Sequence, residues 1–290
     1  MQVYLNGRFL PAAEARIPAF DGGFLYGDGV YTTLRTYRGR AVDLEPHWRR
    51  LTAHAHALEI PLDLDFPTLL EIGTQLIRRN GLSEEDGRLR ITVSRGGDPA
   101  EALPLRNLER LLPTILATLV PVGEHIAGWQ KEGISAMVLG PAYARSHFPE
   151  LKTLNGLTTV LALRQAARTG CQEALLTTSR GRLLEGAVSN LFLVRKGELC
   201  TPAARGGFLP GLTRGRVLEL ADKAGFATQT GNLYRRDLAE ADEVFCASSV
   251  REILPVVSID RRPVADGSPG PMTRTLMQAY HEAMSAGRGP

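Results

Sequence analysis

The stretch Glu150-Leu151-Lys152-Thr153-Leu154-Asn155-Gly156-Leu157 runs directly into Thr158-Thr159-Val160-Leu161-Ala162-Leu163, and the reading of the whole chain turns on its lysine. The 290 residues hold only four lysines against thirty arginines. Three of the four sit where a solvated charge belongs. Lys131 lies in the polar stretch Trp129-Gln130-Lys131-Glu132-Gly133, Lys196 in the turn Arg195-Lys196-Gly197, and Lys223 on the polar side of a helix around Leu220-Ala221-Asp222. Lys152 stands instead at the mouth of an apolar helix that reads as buried. A desolvated ammonium can lose its proton and attack a carbonyl, whereas a guanidinium stays charged. The structural alternative is a lysine whose stem lies along apolar surface with its head in water. The rest of the chain decides between the two.

Composition sets the outer bounds. The length suits one large or two ordinary domains, and 43% apolar with 22% charged residues is the make-up of a globular protein. A net charge of +3, from scattered basic residues, gives no footprint for nucleic acid. Cys171, Cys200 and Cys246 are odd in number and widely spaced, so neither a disulfide framework nor a zinc site is expected, and no metal. The start, Met1-Gln2-Val3-Tyr4-Leu5-Asn6-Gly7, reads as a strand entering a turn rather than a signal peptide. No apolar run approaches the roughly 18 residues of a membrane span. A reducing cytoplasm fits these features.

The local pattern changes along the chain. Val3 to Leu5 and Arg8 to Leu10 form a hairpin around Asn6-Gly7. After the Gly-rich stretch 22–29 come a strand over Val30 to Tyr37 and a short strand over Ala41 to Leu44. Helices follow over Glu45 to Leu58 and Phe66 to Asn80, then strands over Arg88 to Ser94 and Leu112 to Val120. This predicts a small α+β domain over residues 1–120, a linker at 121–124 and a larger domain over 125–290. In the second part the spacing predicts a strand over Ile134 to Leu139 and a helix over Leu157 to Thr169. It then predicts a meander of four strands: Glu173 to Thr178, Arg182 to Leu184, Asn190 to Val194 and Glu198 to Thr201. A helix over Thr213 to Gly225, strands over Asp242 to Ala247 and Val256 to Ile259, and a closing helix over Met272 to Ala286 complete it.

Four further patches join Lys152. Glu185, in Leu184-Glu185-Gly186-Ala187-Val188-Ser189-Asn190, is an acid between two strands. Gly211-Leu212-Thr213-Arg214 is a Gly-led entry into a helix, whose free N–H groups and Thr213 hydroxyl suit a phosphate. Ser248 and Ser249 end the strand Val244-Phe245-Cys246, a second such grip, and Arg50 offers a fork donor for phosphate. Each has a plain structural alternative: a cap, a turn, a solvated acid, a surface arginine. Together they make the parts list of a pyridoxal phosphate (PLP) site: a Schiff-base lysine, phosphate donors, and a carboxylate that keeps the pyridine nitrogen protonated.

These residues fall into six ordered motifs. They are Tyr26-Gly27-Asp28-Gly29-Val30-Tyr31, His47-x-x-Arg50-Leu51, Leu151-Lys152-Thr153-Leu154-Asn155, Glu185-Gly186-x-x-Ser189-Asn190, Gly211-Leu212-Thr213-Arg214, and Ser248-x-x-x-Glu252-Ile253-x-Pro255-Val256. In order and in kind they resemble the class IV aminotransferases, the fold type IV PLP enzymes, over nearly the whole chain. That family includes branched-chain and D-amino-acid aminotransferases, (R)-amine transaminases and aminodeoxychorismate lyases. The resemblance implies a two-domain α+β fold, with a small N-terminal α/β sandwich and a larger C-terminal domain around a β-barrel-like sheet. It implies a homodimer with the active site between the domains, near the dimer interface. It assigns Lys152 the covalent link to PLP and Glu185 the pyridine nitrogen. Arg50, Gly211, Leu212, Thr213, Ser248 and Ser249 take the phosphate, Ser189 and Asn190 belong to the cofactor site, and Tyr31 stands near the linked lysine.

The family member is less directly readable. Thr32-Thr33 follows Tyr31; many transaminases of the family carry Glu at the position of Thr32, and some of the lyases carry Thr-Thr. Arg35, Arg90 and Arg95, together with Thr32, are candidate substrate contacts, because a fork donor suits an α-carboxylate. Strand alternation puts Arg88 and Arg90 on one face and Arg95 on the other, so not all three line one pocket. Arg145 is a candidate at the entrance, and residues 96–103 and 204–208 are candidate specificity loops. The leading expectation is a PLP-dependent transaminase acting on an amino acid, of D- or branched-chain type, and a 2-oxo acid by a ping-pong route. The alternatives are aminodeoxychorismate lyase and a non-catalytic binder of PLP or another phosphate ligand.

Overall fold

Asn6 and Gly7, at φ 45° and 88°, supply the two left-handed positions that a tight hairpin turn needs. They fold β1 (Gln2–Leu5) onto β2 (Arg8–Pro11). The computed structural model describes residues 1–98, 108–144, 148–204 and 207–286. Arg145 and parts of the two candidate specificity loops (99–103 and 205–206) lie outside the described residues. The chain divides into two compact units, Met1–Val122 with Leu151–Gly156, and Gly123–Glu150 with Leu157–Ala286. The segment that carries Lys152 therefore packs with the first unit, and not with residues 125–290 as expected from the sequence.

In the first unit, the short helix α1 (Gly22–Tyr26) is followed by β3 (Gly29–Tyr37), β4 (Arg40–Ala41), α2 (Leu44–Ala57), α3 (Phe66–Arg79), β5 (Gly87–Ser94) and β6 (Thr114–Pro121). The six strands form one antiparallel sheet in the order β2-β1-β6-β5-β3-β4. Alternation along β3 sends Val30, Thr32, Leu34 and Thr36 inward and leaves Tyr31, Thr33 and Arg35 on the other face. Val30 and Leu34 meet Leu51 and Ala55 of α2 and Leu69, Ile72 and Leu76 of α3 in one core. This is the α/β sandwich. Two strands are shorter than predicted. Asp43 takes φ 57°, which ends the strand before Leu44 and starts α2. Leu112 is exposed, and Pro113, without an N–H, stops the ladder short of it.

The second unit opens with α4 (His125–Glu132), where the sequence showed only a polar stretch, closed by Gly133 at φ 85°. After it come β7 (Ile134–Leu139), α5 (Leu157–Arg168), β8 (Glu173–Thr177), β9 (Leu183–Gly186), β10 (Asn190–Arg195), β11 (Glu198–Pro202), α6 (Leu212–Lys223), β12 (Thr228–Gly231), α7 (Arg235–Ala239), β13 (Glu243–Ser248), β14 (Glu252–Ile259), β15 (Arg262–Pro263) and α8 (Pro271–Ser285). The predicted four-strand meander is corrected. β8 pairs β9 and β10 pairs β11, but the sheet order β12-β11-β10-β13-β14-β7-β8-β9 puts three other strands between the two pairs. The tight turn at Gly186–Ser189 redirects the chain between them. β9 nevertheless lies against β10 and β11, so the sheet curls toward a barrel. Leu175, Leu183, Leu191, Leu193, Val244, Leu254 and Val256 fill its inside.

The helix after Lys152 also differs from expectation. α5 docks by its small residues, Ala162 and Ala166, against Leu139, Ala174 and Leu176, and leaves Leu157, Val160 and Leu161 exposed. Cys171, Cys200 and Cys246 are free and buried. Among the described residues, no helix is long and apolar enough to cross a membrane.

Candidate active site

Lys152 is held by its backbone from two sides. Its N–H donates to Nδ1 of His54 at 3.0 Å, and its carbonyl accepts from the Tyr31 N–H at 3.0 Å. Beside it, Thr153 bridges Val30, and the Leu154 N–H donates to the Gly29 carbonyl at 2.9 Å. This close approach explains the glycines of the Tyr26–Tyr31 motif. A Cβ on Gly29 would run into the Val93 carbonyl and Leu154, and one on Gly27, at φ 70°, into Asn155. Nζ of Lys152 then lies 4.6 Å from the centre of the Tyr31 ring. Arg90 lays its guanidinium over the same ring at 3.8 Å. The strand register makes this possible: Tyr31 pairs Thr92 and Thr33 pairs Arg90, so all four share one face of the sheet. Nε of Arg90 donates to Thr92 Oγ1 at 3.1 Å. Partial burial lowers the pKa of Arg90, and a bound carboxylate would offset that desolvation.

The other face of β3 serves Arg50. Thr32 is fully buried; its hydroxyl stands 2.6 Å from His47 Nδ1 and accepts from Arg50 Nη2 at 3.1 Å. With the Thr32 oxygen accepting from Arg50, its own proton goes to His47. The structure thus corrects the candidate role of Thr32 as a substrate contact: it faces away from Tyr31 and orients the arginine. His47 is kept neutral. Burial first, then the charges of Arg50 and Lys152, hold its pKa well below the usual imidazole range. The unfolded chain takes up a proton near pH 6.5 that the folded protein refuses. Stability is therefore full above that pH and falls as pH drops through it, by up to about 1.4 kcal/mol per pH unit. Urea unfolding of the parent and of His47→Gln between about pH 7 and pH 5 should show this slope only in the parent. Equal slopes would refute the assignment.

Two candidate arginines prove structural. Arg35 forms an ion pair with Asp86 at 2.6 Å through Nη2, and its Nε also donates to that carboxylate at 3.0 Å. Arg95 is buried; Nε and Nη2 grip Asp28 at 2.5 and 3.1 Å, and Nη1 and Nη2 donate to the carbonyls of Glu59 and Leu58. Neither guanidinium is available to a substrate, which leaves Arg90 of the three.

In the second unit Glu185 lies within β9 and is buried, not in a loop as expected. The turn behind it is fastened by Glu173, whose carboxylate accepts from the N–H groups of Ala174 and Ala187 and from the Ser189 hydroxyl, at 2.9, 3.1 and 2.9 Å. Burial raises the Glu173 pKa, and Arg251 at 3.4 Å opposes the rise. Asn190 donates to the Leu209 carbonyl and accepts from the Gly211 N–H, at 2.9 and 3.1 Å, so it shapes the loop into α6. Gly211 is the N-cap of α6 and supplies no side chain to it, so the first turn at Leu212 and Thr213 keeps its N–H groups for an anion. Ser248 closes β13, and Ser249 just beyond it places Oγ 3.2 Å from Thr213 Oγ1. The two phosphate grips of the sequence thus converge on one spot.

The residues fit a pyridoxal phosphate. The uncapped helix start with two hydroxyls matches a phosphate dianion, the buried Glu185 matches a pyridinium, and Lys152 matches the aldehyde. Sequence reading did not assign roles to His47, His54 or Glu173. The spacing His47, Arg50, Leu51, His54 is the signal available for the first two, since it places them on one face of a helix.

The family model for amino-transferase class IV matches residues 29–259. The chain is 33% identical to a Methanocaldococcus jannaschii protein provisionally named a branched-chain-amino-acid aminotransferase, over 97% of this chain and 96% of that one. It is 30% identical to D-alanine aminotransferase of Bacillus licheniformis, over 98% and 97%. Among solved structures, the PLP-bound form of a hypothetical aminotransferase from Mycobacterium tuberculosis matches with a TM-score of 0.86 and 25% identity, covering 99% of this chain and 100% of that one. With the family model matched over residues 29–259 and relatives matched over nearly the whole chain, the chain belongs to the class IV aminotransferases, the PLP-dependent transaminases of fold type IV.

Proposed function

We propose that this transaminase acts on α-amino acids and 2-oxo acids, with Arg90 holding the α-carboxylate beside Lys152. One observation carries the reading: the Lys152 amine and the Arg90 guanidinium flank a single ring, Tyr31, at 4.6 and 3.8 Å. A substrate whose amino group takes the place of the Lys152 amine carries its carboxylate on the same carbon, and a guanidinium against the same ring is suited to receive it. When bound, PLP supplies an electron sink for the bonding pair of the substrate Cα–H bond. The residues do the rest. Lys152 would carry the cofactor and, as a tethered amine, would move the proton between the substrate Cα and the cofactor carbon C4′. Glu185 holds a proton on the ring nitrogen. The Leu212 and Thr213 N–H groups and the Thr213 and Ser249 hydroxyls would hold the phosphate, and Ser248 ends the strand that presents Ser249; Arg50, in the first unit, is the guanidinium that the family resemblance assigns to the phosphate. Asn190 and Ser189 act through the loops they brace.

The observation behind the lyase alternative, Thr32, concerns a residue on the far face of β3 from Tyr31, so it does not act on the reacting atoms. The test is a half-reaction scan of the purified holoenzyme with D-alanine, D-glutamate, L-leucine, L-glutamate and (R)-phenylethylamine. Conversion of PLP to pyridoxamine phosphate is expected with an amino acid and not with the amine, which offers Arg90 no carboxylate. Conversion by the amine alone would overturn the role of Arg90. No conversion by any donor would return aminodeoxychorismate lyase to first place.

We also place the enzyme in the cytoplasm, in keeping with its three free thiols, and assemble it as a homodimer. Phe20, Phe24, Leu25 and Tyr26 leave an apolar cluster exposed on and before α1, with Phe24 at 76%. Phe24→Asp should turn the dimer into monomer in light scattering. A parent that is itself monomeric, or a variant that stays dimeric, would remove this surface from the interface.

A further inference from the structure

We propose that His54 is a positioning residue for Lys152: from the face of α2 that also carries Arg50, its imidazole fixes the backbone of the cofactor lysine by accepting the lysine's N–H. The inference rests on Lys152 carrying the cofactor. The bond is 3.0 Å from Lys152 N to His54 Nδ1, between residues 98 apart in sequence. It is a side-chain anchor on a strand-like segment that is also joined, through the Lys152 carbonyl, Thr153 and Leu154, to the backbone of β3 and its approach. Those connections fix the segment's register on one edge. The Lys152 N–H is taken by a side chain instead, the His54 imidazole on α2.

His54 lies four residues beyond Arg50, about 6 Å along the helix axis. One rigid element therefore presents both the guanidinium that takes the phosphate and the acceptor that places the lysine. To accept at Nδ1, the ring must be neutral and carry its proton on Nε2. Loss of the acceptor would leave a half-buried N–H to find another partner, and the backbone would shift to reach it. Nζ sits at the end of a four-carbon arm, so a backbone shift of about 1 Å is enough to cost roughly 10²-fold in a reaction that needs the amine aligned.

The test compares His54→Leu, His54→Asn and His54→Gln as purified holoenzymes. Asparagine places a carbonyl oxygen where Nδ1 stands; glutamine carries its own out toward the position of Nε2; leucine offers no acceptor. Three readouts are taken: the fraction of PLP fixed to the protein by borohydride, the midpoint of the cofactor's absorbance titration with pH, and the donor half-reaction rate. His54→Leu is expected to shift the midpoint and to slow the half-reaction by about tenfold or more. His54→Asn is expected to restore both to near the parent, and His54→Gln is not. Should His54→Leu fail to fold, the contrast between Asn and Gln decides. The inference is overturned if Asn is no better than Gln, or if Leu matches the parent. Lys152→Ala is the control for the reading beneath. If it still fixes PLP with borohydride, the lysine assignment fails and this inference with it. If it does not, a normal His54→Leu sinks the inference alone.

Discussion

Lys152→Ala should leave a folded protein whose transamination is at least about 10³-fold slower than the parent's. The size follows from what is lost together: a tethered amine that links the cofactor, and the base that moves the Cα proton, a role worth about 10²–10⁴ by itself. Stability should hardly change, because the segment is anchored through its backbone. The bonds to His54, Tyr31 and Gly29 use main-chain atoms of Lys152 and Leu154 and survive truncation of the side chain. Single-turnover rates and thermal unfolding, measured on the same preparation, separate the two claims. A rate within about tenfold of the parent would remove Lys152 from the chemistry. A large fall in melting temperature would mean that the ammonium is structural.

Much of this arrangement was legible in the sequence, for identifiable reasons. Period-two alternation in β3 and β5 gave the two faces of the first sheet, and the Asn6-Gly7 turn gave the first hairpin. The scarcity of lysine singled out Lys152. The order of the second sheet was not readable, because β10 finds β13 across a separation that local periodicity does not encode. The burial of α5 was misjudged for a similar reason. Its leucines and valine suggested a core helix, yet it docks through alanines. The arginines show the limit most clearly. Arg35, Arg90 and Arg95 are the same residue type on or just beyond the neighbouring strands β3 and β5, and their acidic neighbours distinguish them. Asp86 and Asp28 come from elsewhere in the chain and claim two of the three. Thr32 was misread because pattern places it next to Tyr31, whereas the pleat sends it to the opposite face. His54 was invisible as a functional residue, since its partner is a backbone N–H 98 residues away.

That division among the arginines leads to the second large effect. Arg95→Ala and Arg90→Leu should fail in opposite ways. Arg95 is buried, and its guanidinium satisfies both oxygens of Asp28 and the carbonyls of Leu58 and Glu59, which tie the end of α2 to the loop before β3. Its removal strands all of these acceptors. Breaking a buried pair from one side costs about 3–5 kcal/mol. The Asp28 side chain keeps 33% of its surface in water, which trims the expected loss to about 2–4 kcal/mol. The surviving folded fraction should show a near-parent KM. Arg90→Leu removes no ion pair among the described residues, and leucine still covers the Tyr31 ring. Its stability should stay within about 1 kcal/mol of the parent. Its kcat/KM for amino acids should fall about 10²-fold, the cost of leaving a substrate carboxylate without its charged partner. Urea unfolding together with steady-state kinetics on both variants tests the pair. A destabilised Arg90→Leu with unchanged KM, or a stable Arg95→Ala with a raised KM, would exchange the two roles. The carboxylate site would then have to be rebuilt around the loop that Asp28 and Arg95 close.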